Sequence, residues 1–214
     1  MKQGQYQPAA LIYQQAYQDC AHVFGSDHST TLACLNNLIL AFLKQGSFEL
    51  AVETAQQAFE RVRMVPNFES AENAMTHQVV GDICRLTGHD DLAEERFTLA
   101  LAIRERIFGP RHPDVAQSLL HLGGLYAMHE PSPLETESAT MEEKLLEQVE
   151  KQFREAVEIY EEALGEDNPE AAYATLQLGM LLLQKGDAGQ AEVCCRQAVA
   201  CFRQKLGPTH FMTG

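Results

Sequence analysis

Apolar residues recur every three or four positions through most of this chain, and short polar breaks interrupt them at regular intervals. Leu32, Leu35, Leu38, Ile39, Phe42 and Leu43 form one stripe, Gln45-Gly46-Ser47 stops it, and Phe48, Ala51, Val52, Ala55, Ala58, Phe59 and Val62 form the next. This spacing predicts two amphipathic helices joined by a tight turn. The pair returns as Val79, Val80, Ile83 and Leu86, then Thr87-Gly88, then Leu92, Ala93, Phe97, Leu99, Ala100, Leu101 and Ile103. It returns again as Leu176, Leu178, Gly179 and Leu182, then Lys185-Gly186-Asp187, then Ala191, Cys195, Ala198 and Val199. Ala9, Ala51 and Ala93 fall 42 residues apart, as do Ala16, Ala58 and Ala100, the pair Gly46 and Gly88, and the pair Gly81 and Gly123. Self-similarity at such a period predicts an all-α solenoid of antiparallel helix pairs.

The period divides the chain into a lone second helix over 5–24 and units over 29–65, 69–109, 113–165 and 169–207. One column of small residues, Gly81, Gly123 and Gly179, lies in the first helices. Another, Ala51, Ala93, Ala156 and Ala191, lies in the second. Small residues let two helix axes approach closely, and Phe97, Tyr126 and Tyr160 are expected to fill the gaps they face. A glycine inside a helix costs up to about 1 kcal/mol against alanine, so its return at one repeat position implies a packing reason. Units close on Phe24-Gly25-Ser26-Asp27-His28, Phe108-Gly109-Pro110-Arg111-His112-Pro113, Leu164-Gly165-Glu166-Asp167-Asn168-Pro169 and Leu206-Gly207-Pro208-Thr209-His210. The glycine ends one helix, and the His or Asn is expected to cap the next, with proline at its first position.

The third unit breaks the rule. Its first helix runs into Glu130-Pro131-Ser132-Pro133-Leu134-Glu135, an expected exposed loop, and helical spacing resumes from about Met141. With Ala156 taken as the counterpart of Ala93, the insertion over 130–150 adds 21 residues, and the second helix ends seven residues short of its siblings at Leu164-Gly165. An extension beyond the repeat has nothing of the repeat to pack on. Leu145, Leu146 and Val149 are therefore expected to meet either their own loop or another chain.

These columns and closing motifs resemble the tetratricopeptide repeat. The run Ala100-Leu101-Ala102-Ile103-Arg104-Glu105-Arg106-Ile107-Phe108-Gly109-Pro110-Arg111-His112-Pro113 is similar to the 42-residue variant of kinesin light chains, as is Leu35-Asn36-Asn37-Leu38. The resemblance covers nearly the whole chain. It implies a right-handed superhelix and a protein-interaction scaffold, kinesin-light-chain-like, that holds a protein or peptide in its concave groove. Candidate partner-binding residues on the first helices are Asn36, Asn37, Lys44, Gln78, Asp82, Arg85, His121, Gln177 and Gln184. Asn and Gln donate and accept, which suits the backbone of an extended peptide; solvated helix polars are the other reading. Relatives that hold acidic tails use clustered Lys and Arg, and Lys44 and Arg85 alone do not make such a clamp.

Composition narrows the class further. The formal net charge is −14, and fourteen acidic but three basic residues lie between Glu130 and Glu170. Nucleic acid needs clustered cations, so it is not an expected partner, and neither is an anionic membrane surface. No apolar run reaches the length of a membrane span, and the first residues carry no secretory signal. Cys20, Cys34, Cys84, Cys194, Cys195 and Cys201 sit inside helical patterns without metal-binding spacing, which points to buried thiols and a reducing, cytoplasmic location. His77 and Cys84 share a helix face but occupy packing columns filled one unit earlier by Leu35 and Phe42. No metal, cofactor or catalytic constellation is expected, so the reading is a scaffold and not an enzyme. A structural subunit of an assembly, joined end to end or through the insertion helix, or a regulatory segment of a larger protein, is the alternative. Neither end of the array carries a polar cap, so the expectation is a piece of a longer array or one completed by another chain.

Overall fold

In the computed structural model, residues 6–64, 70–127 and 136–207 are described. The expected loop at 130–135 and the start of a further first helix at 208–212 lie outside them. The described residues are helical, with no strand among them: α1 (Tyr6–Phe24), α2 (Ser29–Gln45), α3 (Phe48–Met64), α4 (Ala71–Leu86), α5 (Asp90–Phe108), α6 (Pro113–Ala127), α7 (Thr136–Leu164), α8 (Pro169–Gln184) and α9 (Ala188–Leu206).

The punctuation works as its chemistry dictates. His28 holds an extended backbone, and its Nδ1 accepts the Thr30 amide at 3.2 Å. His112 accepts the Asp114 amide at 3.1 Å, and Asn168 accepts that of Glu170 at 2.8 Å ahead of Pro169. Each histidine also stacks on the aromatic that ended the previous helix, Phe24 with His28 and Phe108 with His112. Between them Gly25 and Gly109 take φ of 93° and 83°, where a Cβ is strained.

The helices form two compact units, 1–107 and 108–214. In the first, Leu32, Leu35, Ile39, Ala51, Ala55, Ala58, Val79 and Ile83 make one core. In the second, Val149, Phe153, Leu178, Leu181, Leu182 and Ala191 do. Within each unit a small residue on a first helix faces a larger one on the following second helix. A Cβ added to Gly81 would stand 2.6 Å from the Phe97 ring, and one on Gly123 would stand 2.5 Å from Phe153. One period before Gly81 and Phe97 the sizes are exchanged: Ile39 and Ala55 share the core. At Gly179 a Cβ would stand 3.1 Å from both Cys194 and Cys195.

That pairing corrects the expected register of the third unit. Gly123 is faced by Phe153, not by Tyr160. Phe97 and Phe153 are 56 residues apart, as are the endings Phe108-Gly109 and Leu164-Gly165, which is one period plus an insertion of fourteen residues and not 21. Val149 takes the place of Ala93, and Ala156 that of Ala100. The alanine columns lie seven residues, about two turns, apart on one helix face, so a valine in the first let the second pass for it. The second helix does not end early. It starts early: α3, α5 and α9 open at Phe48, Asp90 and Ala188, equivalent to Leu146, whereas α7 opens at Thr136. Its 29 residues, against 17 and 19 in α3 and α5, add about 15 Å of helix ahead of the repeat.

Candidate functional site

The first helices α2 and α4 lie side by side in one unit, and α6 and α8 do so in the other. On α2, Leu35 and Ile39 are buried and Asn37 and Lys44 are exposed, seven residues apart and so on one face. Lys44 also stands in the last turn, where a cation complements the helix carboxyl end. Gln177 and Gln184 hold the equivalent positions on α8, the first half-buried and the second exposed. On α4, Asp82 and Arg85 are half-buried and pair at 3.9 Å. His121 on α6 is half-buried.

Two expected partner-binding residues lie elsewhere. Asn36 is 2% exposed: its amide donates to the Glu72 carbonyl at 2.9 Å, and its carbonyl accepts from the Thr76 hydroxyl at 3.0 Å. Gln78, 3% exposed, accepts from the buried Arg104 guanidinium at 2.5 Å. Both amides hold helices together instead of meeting a partner. A buried polar side chain needs an internal partner, and these two found theirs across helix boundaries. The insertion residues divide as well. Val149 is fully buried and Leu146 packs on the same core, so both belong to the repeat and not to an unpartnered stripe; Leu145 is half-buried.

Sequence reasoning passed over three features. Leu43, Phe48, Val52, Ile83, Leu86 and Thr87 line an apolar hollow of about 230 Å³. A wider charged cleft of about 640 Å³ follows α7 past Glu147, Lys151, Arg154 and Glu158, with Arg111 and Lys185 on it. There Lys185 and Arg154 both bond Glu150, and the two cations hold its carboxyl below the usual carboxylate range. The third is a thiol contact between Cys20 and Cys34. An exposed apolar residue at a turn, such as Phe48, was the available signal for the hollow; the cleft and the thiol contact depend on helix packing.

His77 and Cys84 lie in packed surroundings. His77 is 8% exposed and lies edge-on to Phe59. Burial, with the Arg96 charge adding to it, pushes its pKa down to about 4. Burial pushes the Cys84 thiol up. Among the described residues no three His, Cys, Asp or Glu side chains are placed to hold one metal ion. No described helix is long and apolar enough to cross a membrane.

Two models described as tetratricopeptide repeat match this sequence, at residues 70–131 and 147–205, together more than half of it. The chain belongs to the tetratricopeptide-repeat family. Its fold is shared with BtubC (BKLC) from P. vanneervenii, at TM-score 0.69 and 17% identity over 93% of this chain and 74% of that one. It is shared also with a Podosopora anserina protein of nearly identical, kinesin-light-chain TPR-like repeats, at TM-score 0.64 and 18% identity over 94% of this chain and 89% of that one. No curated protein matches the sequence. The all-α solenoid expected from the 42-residue period, and the tetratricopeptide type that the resemblance implied, are thus the fold, and this tetratricopeptide-repeat chain is a protein-interaction scaffold.

Proposed function

We propose that the chain is a non-catalytic, cytoplasmic adaptor that holds an extended peptide of a partner protein against its first helices. The observation that carries this reading is the exposed pair Asn37 and Lys44 on α2, with half-buried Gln177 and exposed Gln184 at the equivalent positions on α8. The amides of Asn37, Gln177 and Gln184 each offer both a donor and an acceptor to a peptide backbone, and the Lys44 ammonium adds donors, which no apolar surface does. Asp82 and Arg85 extend the polar face on α4 in the first unit, and His121 does so on α6 in the second. Buried Asn36 and Gln78 support the first unit's face from below.

The cation inventory favours a neutral peptide over an acidic one. Of the two basic candidates, Arg85 is paired with Asp82 and Lys44 serves its own helix end. Helical, free cysteines accord with a reducing location.

Peptides selected from a displayed random library against the full chain test the reading. Asn37→Ala should weaken the selected peptides by up to about tenfold, the scale of one backbone hydrogen bond. It should leave the melting temperature unchanged, because an exposed side chain holds little packing. Peptides that bind Asn37→Ala and Gln177→Ala as tightly as the parent chain overturn the groove.

A further inference from the structure

We propose that Cys20 and Cys34 form a modification site: a cross-helix dithiol that a low-molecular-weight disulfide of the glutathione class oxidises to an intramolecular disulfide, fastening α1 to α2. The inference is independent of what the first helices bind.

The Cys34 thiol donates to the Cys20 sulfur at 3.9 Å, across the interface of α1 and α2. Both residues are half-buried, so a small oxidant reaches them. The two sulfurs stand about 2 Å beyond an S–S bond length of about 2 Å, so closing the contact is a short movement. Packing does not require thiols here. The equivalent positions of other repeats hold Val62 with Thr76 and Tyr160 with Ala174. Cys194 and Cys195, the other neighbouring thiols, are adjacent on α9, where consecutive side chains diverge by about 100° and cannot bridge.

The chemistry assigns the order of events. Burial and the neighbouring Cys20, which accepts from it, push the Cys34 thiol up, so Cys34 is the poorer first nucleophile of the two. Cys20 is therefore the attacking thiolate. It displaces one glutathione thiolate and becomes a mixed disulfide. Cys34 then loses its proton, attacks the Cys20 sulfur and displaces the second. Two protein thiols give up two electrons and two protons, which leave as two glutathione thiols.

The mechanical effect falls on α1. It packs on α2 through Ala10, with Leu38 and Ala41, and Arg61 of α3 bonds the Tyr17 hydroxyl at 2.8 Å. Its outer face leaves Leu11, Ile12 and Val23 exposed. With one helix as its main support, α1 is the element that a cross-link holds in place.

The test is to equilibrate the full chain in glutathione buffers of rising oxidised fraction, trap the free thiols by alkylation and map them by mass spectrometry. The expected product is a Cys20–Cys34 linked peptide, two hydrogens lighter, at poises where Cys84, Cys194, Cys195 and Cys201 still alkylate. Proteolysis within α1 should slow severalfold in the oxidised chain and return on reduction. Cys34→Ser should trap a glutathione adduct on Cys20 and lose the protection. Wild-type Cys20 and Cys34 that stay alkylatable while other cysteines are modified overturn the proposal. So does protection of α1 that persists in Cys34→Ser.

Discussion

Gly123 and Gly124 are neighbours on α6 with opposite demands. A Cβ at Gly123 would stand 2.5 Å from the Phe153 ring, itself 1% exposed and unable to swing away, whereas one at Gly124 meets nothing within 4 Å. Gly123→Ala should therefore destabilise by about 1–3 kcal/mol through overpacking, and Gly124→Ala should stabilise by up to about 1 kcal/mol through helix propensity. Denaturant melts of the two variants check this, and equal effects would refute the volume pairing. His77 gives a second prediction. Unfolded it titrates near 6.5; folded, desolvated and facing Arg96, with Glu95 opposing, it titrates at about 4. The unfolded chain binds the proton first, so stability present above pH 6.5 falls as pH drops towards 4, by up to about 3 kcal/mol. Leu35 and Leu119 fill its column in other repeats, so His77→Leu should flatten that part of the pH–stability curve.

At the scale of elements, α7 decides what the insertion is. From Leu146 onward it is an ordinary second helix, with Val149, Phe153 and Ala156 buried, and only the segment before Leu146 lies ahead of the repeat. Removing 132–145 restores the 42-residue step and places Glu130 where Gly46, Gly88 and Gly186 hold left-handed φ of 78°, 76° and 86°. The deletion combined with Glu130→Gly should keep its helical signal and melt cooperatively, because the buried Val149, Phe153 and Ala156 are all retained. Val149→Asp leaves the length unchanged and buries an unpaired carboxylate among Phe153, Leu178 and Leu182. It should cost several kcal/mol, enough to unfold the second unit. Circular dichroism melts of both variants distinguish an appended helix from a core one; a deletion that unfolds the chain would reverse the assignment.

At the scale of the molecule, the net charge of −14 and the repeat fold point to protein partners, and the two competing modes of binding separate cleanly. If the first helices carry the contact, the 132–145 deletion should retain the selected peptides and Asn37→Ala should weaken them. Loss of binding on deletion with Asn37→Ala unaffected would place the contact on the insertion helix. Elemental analysis of the purified chain should find less than one zinc or iron per molecule, and a chelator should leave its melting temperature unmoved. Stoichiometric metal would sink the pure-scaffold reading.

Period, helix type and helix ends were legible in the sequence because their causes are local. A stripe every 3.6 residues, a glycine past a helix end and a His or Asn before a proline act on their own few neighbours. The role of Phe97 was legible too, since a large residue is expected to fill the gap left by the small-residue columns. Tertiary packing alone decided the rest. Alanine columns two turns apart are indistinguishable until a facing helix selects one, so only the Gly123–Phe153 contact placed Val149 in the core and shortened the insertion to fourteen residues. Adjacent asparagines, Asn36 and Asn37, read alike along the chain. Their fates parted when Glu72 and Thr76, on another helix, supplied partners to Asn36 alone. The Cys20–Cys34 contact likewise joins residues that share no motif, because the crossing of α1 over α2, and no local preference, brings the two sulfurs together.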